Sequence, residues 1–211
     1  MKATTALTKG ADRSIESIPP MLSGYPNLNF VHGKGVDTVN EIVLQLRERN
    51  LVSFHGIIDR DRGNQPPDGV HVISRYCLEN YLYDPLCVYA LLRRSKKESL
   101  AEGLGSTEVW ELRYLSDENL QTIVDSIFSQ IEGKYSFYPA VQGGWEEVTF
   151  VNGKKLKYPH WFLHKPKKDL KLCLQDVFGQ PQLKNDKAIK SYRELNMIPS
   201  ELLRIYEDML E

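Results

Sequence analysis

Two aspartates one residue apart are the side chains in this chain best placed to do chemistry. Asp59 and Asp61 follow an apolar run that ends at Ile57 and Ile58. A short apolar run bounded by charge and Gly is typical of a buried strand in a parallel sheet, and ligands bind beyond the carboxyl ends of such strands. Residues two apart on an extended backbone share a face, so both carboxylates could bind Mg²⁺. The alternative is a polar β-turn, because Asp, Arg and Gly are common turn residues.

A third acidic residue follows the next predicted strand, at residues 70–74. Glu79 lies early in a predicted helical segment, 75–94. Taken alone, a Glu at this position is a surface residue favoured by the positive end of the helix dipole. Since neighbouring parallel strands end at the same edge of a sheet, we expect Glu79 to lie near the crevice that holds Asp59.

The elements that must position these side chains form a β-α-β pattern. Apolar residues recur at helical spacing from Val36 to Leu46, between predicted strands at 27–32 and 52–58. Residues 1–10 are either a frayed lead-in or contain a first strand around 6–8. Residues 12–22 also have a helical pattern. Strands that alternate with helices predict an α/β fold with a mostly parallel sheet.

The second half of the chain is less regular. Helices are predicted at 116–131, 169–178 and 199–210, and Asn152-Gly153 is typical of a hairpin turn. We therefore divide the chain into an α/β core, 1–95, and a mainly helical extension, 96–211, packed on that core.

Composition excludes several classes of protein. The chain has 211 residues, 41% of them hydrophobic, and a net charge of −1, so it has no global basic signature for nucleic acid. Its three cysteines are scattered, which indicates neither a disulfide framework nor a zinc site, and its five histidines show no ligand spacing. No apolar stretch is long enough to span a membrane, so we expect a cytoplasmic protein without membrane contact. Gly33-Lys34-Gly35 lacks the P-loop pattern for ATP.

The two acidic motifs together carry a family resemblance. The order G-I-I-D-R-D-R at 56–62, a short strand, and R-Y-C-L-E-N-Y-L-Y-D-P at 75–85 resembles the TOPRIM domain of the overcoming-lysogenization-defect (OLD) nucleases, in particular their stand-alone relatives in PARIS-type phage-defence systems. The resemblance covers residues 5–92 and implies a Rossmann-like TOPRIM sheet. It implies a nuclease that uses Mg²⁺ (or Mn²⁺) to cleave DNA or RNA, tRNA included, with Asp59 and Asp61 as metal ligands and Glu79 as a further catalytic acid.

The same resemblance implies a partner. Stand-alone relatives act as antiviral toxin effectors beside an AAA/ABC-type ATPase, so we expect such an ATPase, a nucleic-acid substrate and an assembly compatible with a homodimer. The aromatics Tyr76, Tyr81, Tyr83 and Trp110 are expected to be exposed and to dock the ATPase.

The chain departs from the family at the end of its first strand. There the family has a motif that begins with Glu-Gly and includes an Asp; here Lys9-Gly10-Ala11-Asp12 stands in its place. Asp12 fits a metal ligand by this match. A protonated Lys9 repels a divalent cation and has no lone pair for it, so it is expected to pair with the aspartates instead. Glu16 is a substitute acid one helical turn beyond Asp12.

Lys9 bears on two rival interpretations: it favours the first and counts against the second. One is a catalytically silent TOPRIM-like module held by an ATPase scaffold. The other is a phosphoacceptor receiver domain, which also uses aspartates and a Lys at strand ends. A receiver needs an acidic pair after its first strand, and Lys9-Gly10 does not supply one.

Basic residues late in the chain are the remaining candidates. Lys168 matches the Lys of a Gly-Lys-x-Leu stretch in related nucleases and would stabilise transition-state charge, with Lys167 at the Gly position. A basic strip with Tyr158 and Trp161 could hold nucleic acid by charge and stacking; its lysines are Lys154, Lys155, Lys157, Lys165 and Lys167. The alternative is packed aromatics beside solvated lysines.

Overall fold

The N-terminal half of the chain forms a four-stranded, all-parallel sheet in the order β2-β1-β3-β4. Its strands are β1 (Thr4–Lys9), β2 (Leu28–Gly33), β3 (Phe54–Ile58) and β4 (Val70–Val72). The computed structural model describes residues 4–9, 28–33, 35–60, 65–94, 108–134, 144–164, 167–179 and 185–210; for 4–9, 28–33, 167–169 and 185–186 it describes the backbone alone. All four predicted strands are confirmed, and so is the parallel arrangement.

Hydrophobic side chains cover both faces of this sheet. On one face, α1 (Val36–Glu48) packs Val39 and Val43 against Ile58 and Val70. Successive strand residues point to opposite faces. Gly56 therefore faces α1 two residues before Ile58, and a Cβ on it would come within 2.7 Å of a Val39 methyl carbon. The missing side chain lets helix and sheet approach closely.

The opposite face of the sheet is covered by residues from distant parts of the chain. Ile57 and Ile73 pack with Tyr81 of α2 (Glu79–Leu82) and with Leu202 and Ile205 of α8 (Ser200–Asp208). The sheet therefore lies between α1 on one side and α2 with α8 on the other.

The remaining elements make the protein mixed α/β and mostly helical. They are α3 (Pro85–Arg94), a 3₁₀ helix (Val109–Tyr114), α4 (Asp117–Lys134), the antiparallel hairpin β5 (Trp145–Thr149) and β6 (Lys155–Pro159), α5 (His160–His164), α6 (Lys167–Phe178) and α7 (Asn185–Leu195). The hairpin turns at the predicted place, with Gly153 at a φ of 84°. Among the described helices, none is long and apolar enough to cross a membrane.

Packing crosses residue 95, the boundary predicted from sequence. The largest core cluster joins Leu86 and Leu91 of α3 to Ile127 of α4 and Tyr192 of α7. In the other direction, α8 lies on the sheet. The described part of the region after residue 95 is mainly helical with one hairpin, and it shares its core with the N-terminal half.

The segment predicted as one mostly helical stretch, 75–94, contains two helices. They meet at Asp84-Pro85, where Pro85 begins α3. Proline lacks an N–H but is tolerated in the first turn of a helix, where that N–H would have no partner. The Asp84 carboxylate accepts the N–H of Leu86 at 3.1 Å and so caps the new helix. Helix α7 and the short helix α5 were not predicted.

A buried histidine, His55, pairs with the partly buried His71 on the adjacent strand and makes stability depend on pH. The Nδ1 atom of His55 lies 3.2 Å from Nε2 of His71. Burial, then His71 and Arg47, lower the pKa of His55 from 6.5 to about 4, against a smaller opposing effect of Asp68. Burial and Arg47 also lower the pKa of His71, and the carboxylates of Asp208 and Asp68 oppose them.

We expect the free energy of unfolding to fall as the pH is lowered from about 6.5 towards 4. In that window His55 is protonated in the unfolded chain but stays neutral in the folded protein. The free energy of unfolding therefore falls by up to about 3 kcal/mol. His55→Gln should flatten this part of the curve, measured by urea unfolding at pH 7, 6, 5 and 4. Equal slopes for wild type and His55→Gln would contradict the assignment.

Candidate active site at the carboxyl end of the sheet

The strand order defines a crevice at the carboxyl end of the sheet. From β1 the chain continues to β2 on one side, and after α1 it returns to β3 on the other side of β1. Ligands bind at such a switch point in open α/β sheets. Thr8 lies opposite Ile57, so Lys9, the last residue of β1, lies beside the end of β3, where Asp59 follows. The backbone thus places positions 9 and 59 at the same switch point.

A hydrogen bond joins the end of β3 to the start of α2. The partly exposed Asp59 carboxylate accepts the N–H of Leu78 at 3.3 Å. Glu79 is the next residue and the first of α2. The bond therefore holds the side chain of Asp59 close to the backbone at Glu79, so the two predicted acidic positions are neighbours in the fold.

The pKa of a neighbouring thiol, Cys77, also depends on both carboxylates. Cys77 is buried, and its Sγ donates to Asn80 Oδ1 at 2.8 Å. Burial raises the pKa of this thiol well above its usual value, and the negative charges of Glu79 and Asp59 raise it further. Cys77 is consequently a neutral thiol at physiological pH, and the charges of both acidic groups that were predicted to share a site act on it.

The other predicted ligands fall outside these contacts. Asp12, Asp61 and Lys165 lie outside the described residues, as does Glu16. Lys167 and Lys168 lie by their backbone in the first turn of α6, and α6 contacts α2. The helix that carries Lys168 is thus a neighbour of the helix that carries Glu79.

Carboxylates lie beside most of the hairpin lysines of the predicted basic strip. Lys154 Nζ lies 3.1 Å from Asp117 Oδ1, and Lys155 Nζ lies 3.0 Å from Glu147 Oε1. Lys157 is exposed. The pairing lowers the positive potential of this surface, since two of the three charges face an acid.

The aromatic residues of that strip are packing residues. Tyr158 is fully buried, and Trp161 packs against the core and donates from Nε1 to Glu132 at 2.9 Å. Neither ring is therefore open for a nucleic-acid base to stack on it. This favours the alternative of packed aromatics beside solvated lysines.

The prediction of four exposed aromatics is wrong for two of them. Tyr81 and Tyr83 are buried in the two main core clusters, because each ring extends the apolar surface of the short segment around α2. The Tyr81 hydroxyl donates to Glu201 Oε2 at 2.6 Å, which satisfies its polar end. Tyr76 is half-buried, and Trp110 is 48% exposed.

A buried ion pair holds the segment that carries Cys77 and Glu79. Arg75 Nη1 lies 3.2 Å from Asp84 Oδ2, and both side chains are almost fully buried. Arg75 Nη1 also donates to the carbonyl of Asn80 at 2.7 Å, and the Tyr158 hydroxyl donates to Asp84 Oδ1 at 3.0 Å. The guanidinium lies 4.5 Å from the centre of the Tyr81 ring. Contacts at both ends of the segment thus depend on one charge pair.

Sequence reasoning missed two groupings. It did not find the Arg75–Asp84 pair, and it gave the histidines no ligand spacing. In the structure, His160 and His164 lie four apart on α5 and face Glu146. Spacing of four on a helix places side chains on one face, which is the signal that could have found them.

We expect Asp84→Asn to lower the free energy of unfolding by about 3–5 kcal/mol, because it leaves the Arg75 charge buried without its counterion. Urea unfolding measures this. Lys134→Met is the matched control: its ion pair with Asp176 is at 2.9 Å but exposed, so its removal should cost less than about 1 kcal/mol. If Asp84→Asn does not fold, Arg75→Lys, which keeps the charge but loses the planar fork, should still be measurably destabilised. Wild-type stability in both variants would contradict the assignment.

A scan against protein-family models finds no family that matches this chain, and a search of curated proteins finds no matching relative.

Proposed function

We propose that this chain is a metal-dependent nuclease with a Rossmann-like TOPRIM domain, and that its active site is the crevice at the carboxyl end of the sheet. The observation that carries the proposal is the position of Asp59, directly after β3 at the switch point, with Glu79 held next to it through the Asp59–Leu78 hydrogen bond. The two motifs that resemble the OLD nucleases lie around these two residues.

The donor set at this crevice fits a hard divalent cation. Asp59 and Glu79 offer carboxylate oxygens, and Asp61 lies two residues beyond Asp59 in the sequence. Mg²⁺ and Mn²⁺ prefer oxygen ligands, usually one or two carboxylates together with water and phosphate. The neutral Cys77 thiol does not compete, because a thiol binds metal as the thiolate and burial disfavours that form.

Each of these residues would have a separate role in phosphodiester cleavage. Asp59, Asp61 and Asp12 would hold Mg²⁺, which when bound supplies a Lewis acid and lowers the pKa of water. The Glu79 carboxylate would accept a proton from the attacking water. Lys168 would stabilise charge on the phosphate, and the contact between α6 and α2 supports that role.

Lys9 supports a second candidate function. Its position beside the end of β3 would place a positive charge where an acid is expected from the family motif. The chain would then be a catalytically silent TOPRIM-like module, held by an AAA/ABC-type ATPase. Under either function the partner ATPase and an antiviral role rest on the resemblance, and the exposed Trp110 is the aromatic left for docking.

We expect cleavage of a panel of DNA, tRNA and other RNA to require Mg²⁺ or Mn²⁺ and to stop in a chelator. Asp59→Asn should reduce the rate by about 100-fold or more, because it removes a metal ligand. Asp68→Asn changes an exposed aspartate that precedes β4, at the other end of the same sheet, and should cleave like wild type. Unchanged cleavage by Asp59→Asn, or cleavage in chelator, would contradict the nuclease proposal.

Lys9→Glu separates the active from the silent interpretation. If Lys9 weakens metal binding, Lys9→Glu should raise Mg²⁺ affinity and cleavage by at least about 10-fold, because a repelling charge becomes a ligand. Lys9→Gln removes the charge without adding a ligand and should give a smaller gain. Affinity is measured by calorimetry and cleavage on the same panel. Equal affinity and equal cleavage in all three proteins would contradict the match of Lys9 to the first family motif.

A further inference from the structure

Glu146, His160 and His164 form a group of side chains, on the hairpin and α5, that have the chemistry to hold a metal ion. Glu146 Oε2 of β5 is 3.1 Å from His164 Nε2 and 3.6 Å from His160 Nε2, both of α5. One ligand atom from each of the three residues lies within 4.8 Å of the others. Their side chains are between 33% and 46% exposed, so an ion can reach them from solvent.

The elements around this group hold it in place. Strand β6 leads directly into α5, and Glu146 lies opposite the fully buried Tyr158 in the hairpin. The N–H of His160 donates to the carbonyl of Gly144 at 3.1 Å, which joins the start of α5 to the start of β5. Between the two histidines, Phe162 and Leu163 are buried. The ligand positions are therefore fixed by core packing and not by a loop.

We propose that Glu146, His160 and His164 form a binding site for a zinc-class transition-metal ion. Two imidazoles with one carboxylate are a common three-residue zinc set, and imidazole favours such metals over Mg²⁺. With bonds of about 2.0–2.1 Å, the ligand atoms of a tetrahedral ion lie about 3.3 Å apart. The N···O distances of 3.1 and 3.6 Å lie on either side of that value. The two imidazole nitrogens lie at most 4.8 Å apart, so to bind one ion they would have to approach each other by no more than about 1.5 Å.

The site has an open side next to a cavity. Glu146 and His164 also line a cavity of about 300 Å³, together with Glu201 and Arg204. Three protein ligands leave the fourth position of a tetrahedral zinc ion to water or to another small ligand. The ion would lie at the rim of this cavity, where such a ligand can reach it.

The rival is a metal-free hydrogen-bonded cluster. Both Nε2 atoms approach the same carboxylate oxygen, and a histidine donating to a carboxylate needs no ion. The two explanations differ in one measurable respect: only the metal site binds an ion tightly, and only it loses that ion when any one of the three side chains is removed.

The test is binding of Zn²⁺ to the full chain after treatment with a chelator. We expect calorimetry to give one equivalent that an excess of Mg²⁺ does not displace, and Co²⁺ to give the visible absorption of a tetrahedral complex. His164→Gln, His160→Gln and Glu146→Gln should each weaken Zn²⁺ binding by at least about 30-fold, because loss of a ligand costs at least as much as loss of an outer-shell partner. A rise in melting temperature with Zn²⁺ should occur in wild type and not in these variants.

The control is Glu147→Gln, the neighbouring glutamate whose partner is Lys155, and it should bind Zn²⁺ like wild type. Circular dichroism of each variant without metal checks that it folds, since Cys77, Cys87 and Cys173 are buried in the native state but would bind zinc if unfolded. Absence of Zn²⁺ binding by wild type, or full binding by the folded His164→Gln variant, would overturn the proposal. The readout is binding, so the result does not depend on nuclease activity.

Discussion

The buried Arg75–Asp84 ion pair is the interaction on which the other contacts depend. Taking two charges out of water is unfavourable unless each one keeps enough polar partners. Here Asp84 accepts from Arg75, Tyr158 and the N–H of Leu86, and the guanidinium also donates to Asn80. These partners belong to the segment after β4, to α2, to α3 and to the hairpin. The pair therefore has its polar partners only when these regions are assembled, which couples the segment that follows the sheet to the C-terminal half.

The same junction supports both candidate sites. The N–H of Tyr76 donates to the carbonyl of Leu163 at 2.7 Å, and the Asn80 side chain donates to the carbonyl of Phe162. Helix α5, which carries the two histidines of the hairpin site, is thus bonded to the segment that carries Glu79. The two proposed sites differ in ligand chemistry, carboxylate oxygen at the sheet and imidazole at the hairpin, so they would favour different metals.

The sequence predicts well those features of the fold that depend on a local pattern of residues. The helix at α1, the four strands and the Asn152-Gly153 turn follow from spacing and turn residues, and the parallel sheet follows from their alternation. The position of Asp59 at the switch point could be predicted from that alternation of strands and helices alone. The pair between Arg75 and Asp84 joins the two ends of a short segment across a break between helices, and its contact with Tyr158 joins distant positions; no local pattern exists for either. Tyr81 was misplaced for a related reason, since Glu201, which accepts its hydroxyl, is distant in the sequence. Tyr83 is buried in the largest core cluster, whose other members also come from distant parts of the chain.

The charge of one side chain decides which chemistry the sheet crevice can perform. The raised pKa of Cys77 keeps it neutral, so the carboxylates set the local negative charge. At an effective dielectric constant of about 20, a unit charge about 6 Å from a divalent ion changes its binding by roughly 5 kcal/mol. That is more than three orders of magnitude in affinity. A lysine ammonium at that distance would oppose binding of the metal ion proposed for this crevice. An active crevice therefore requires either that the Lys9 ammonium points away from the metal, or that its charge is neutralised when a phosphate substrate binds.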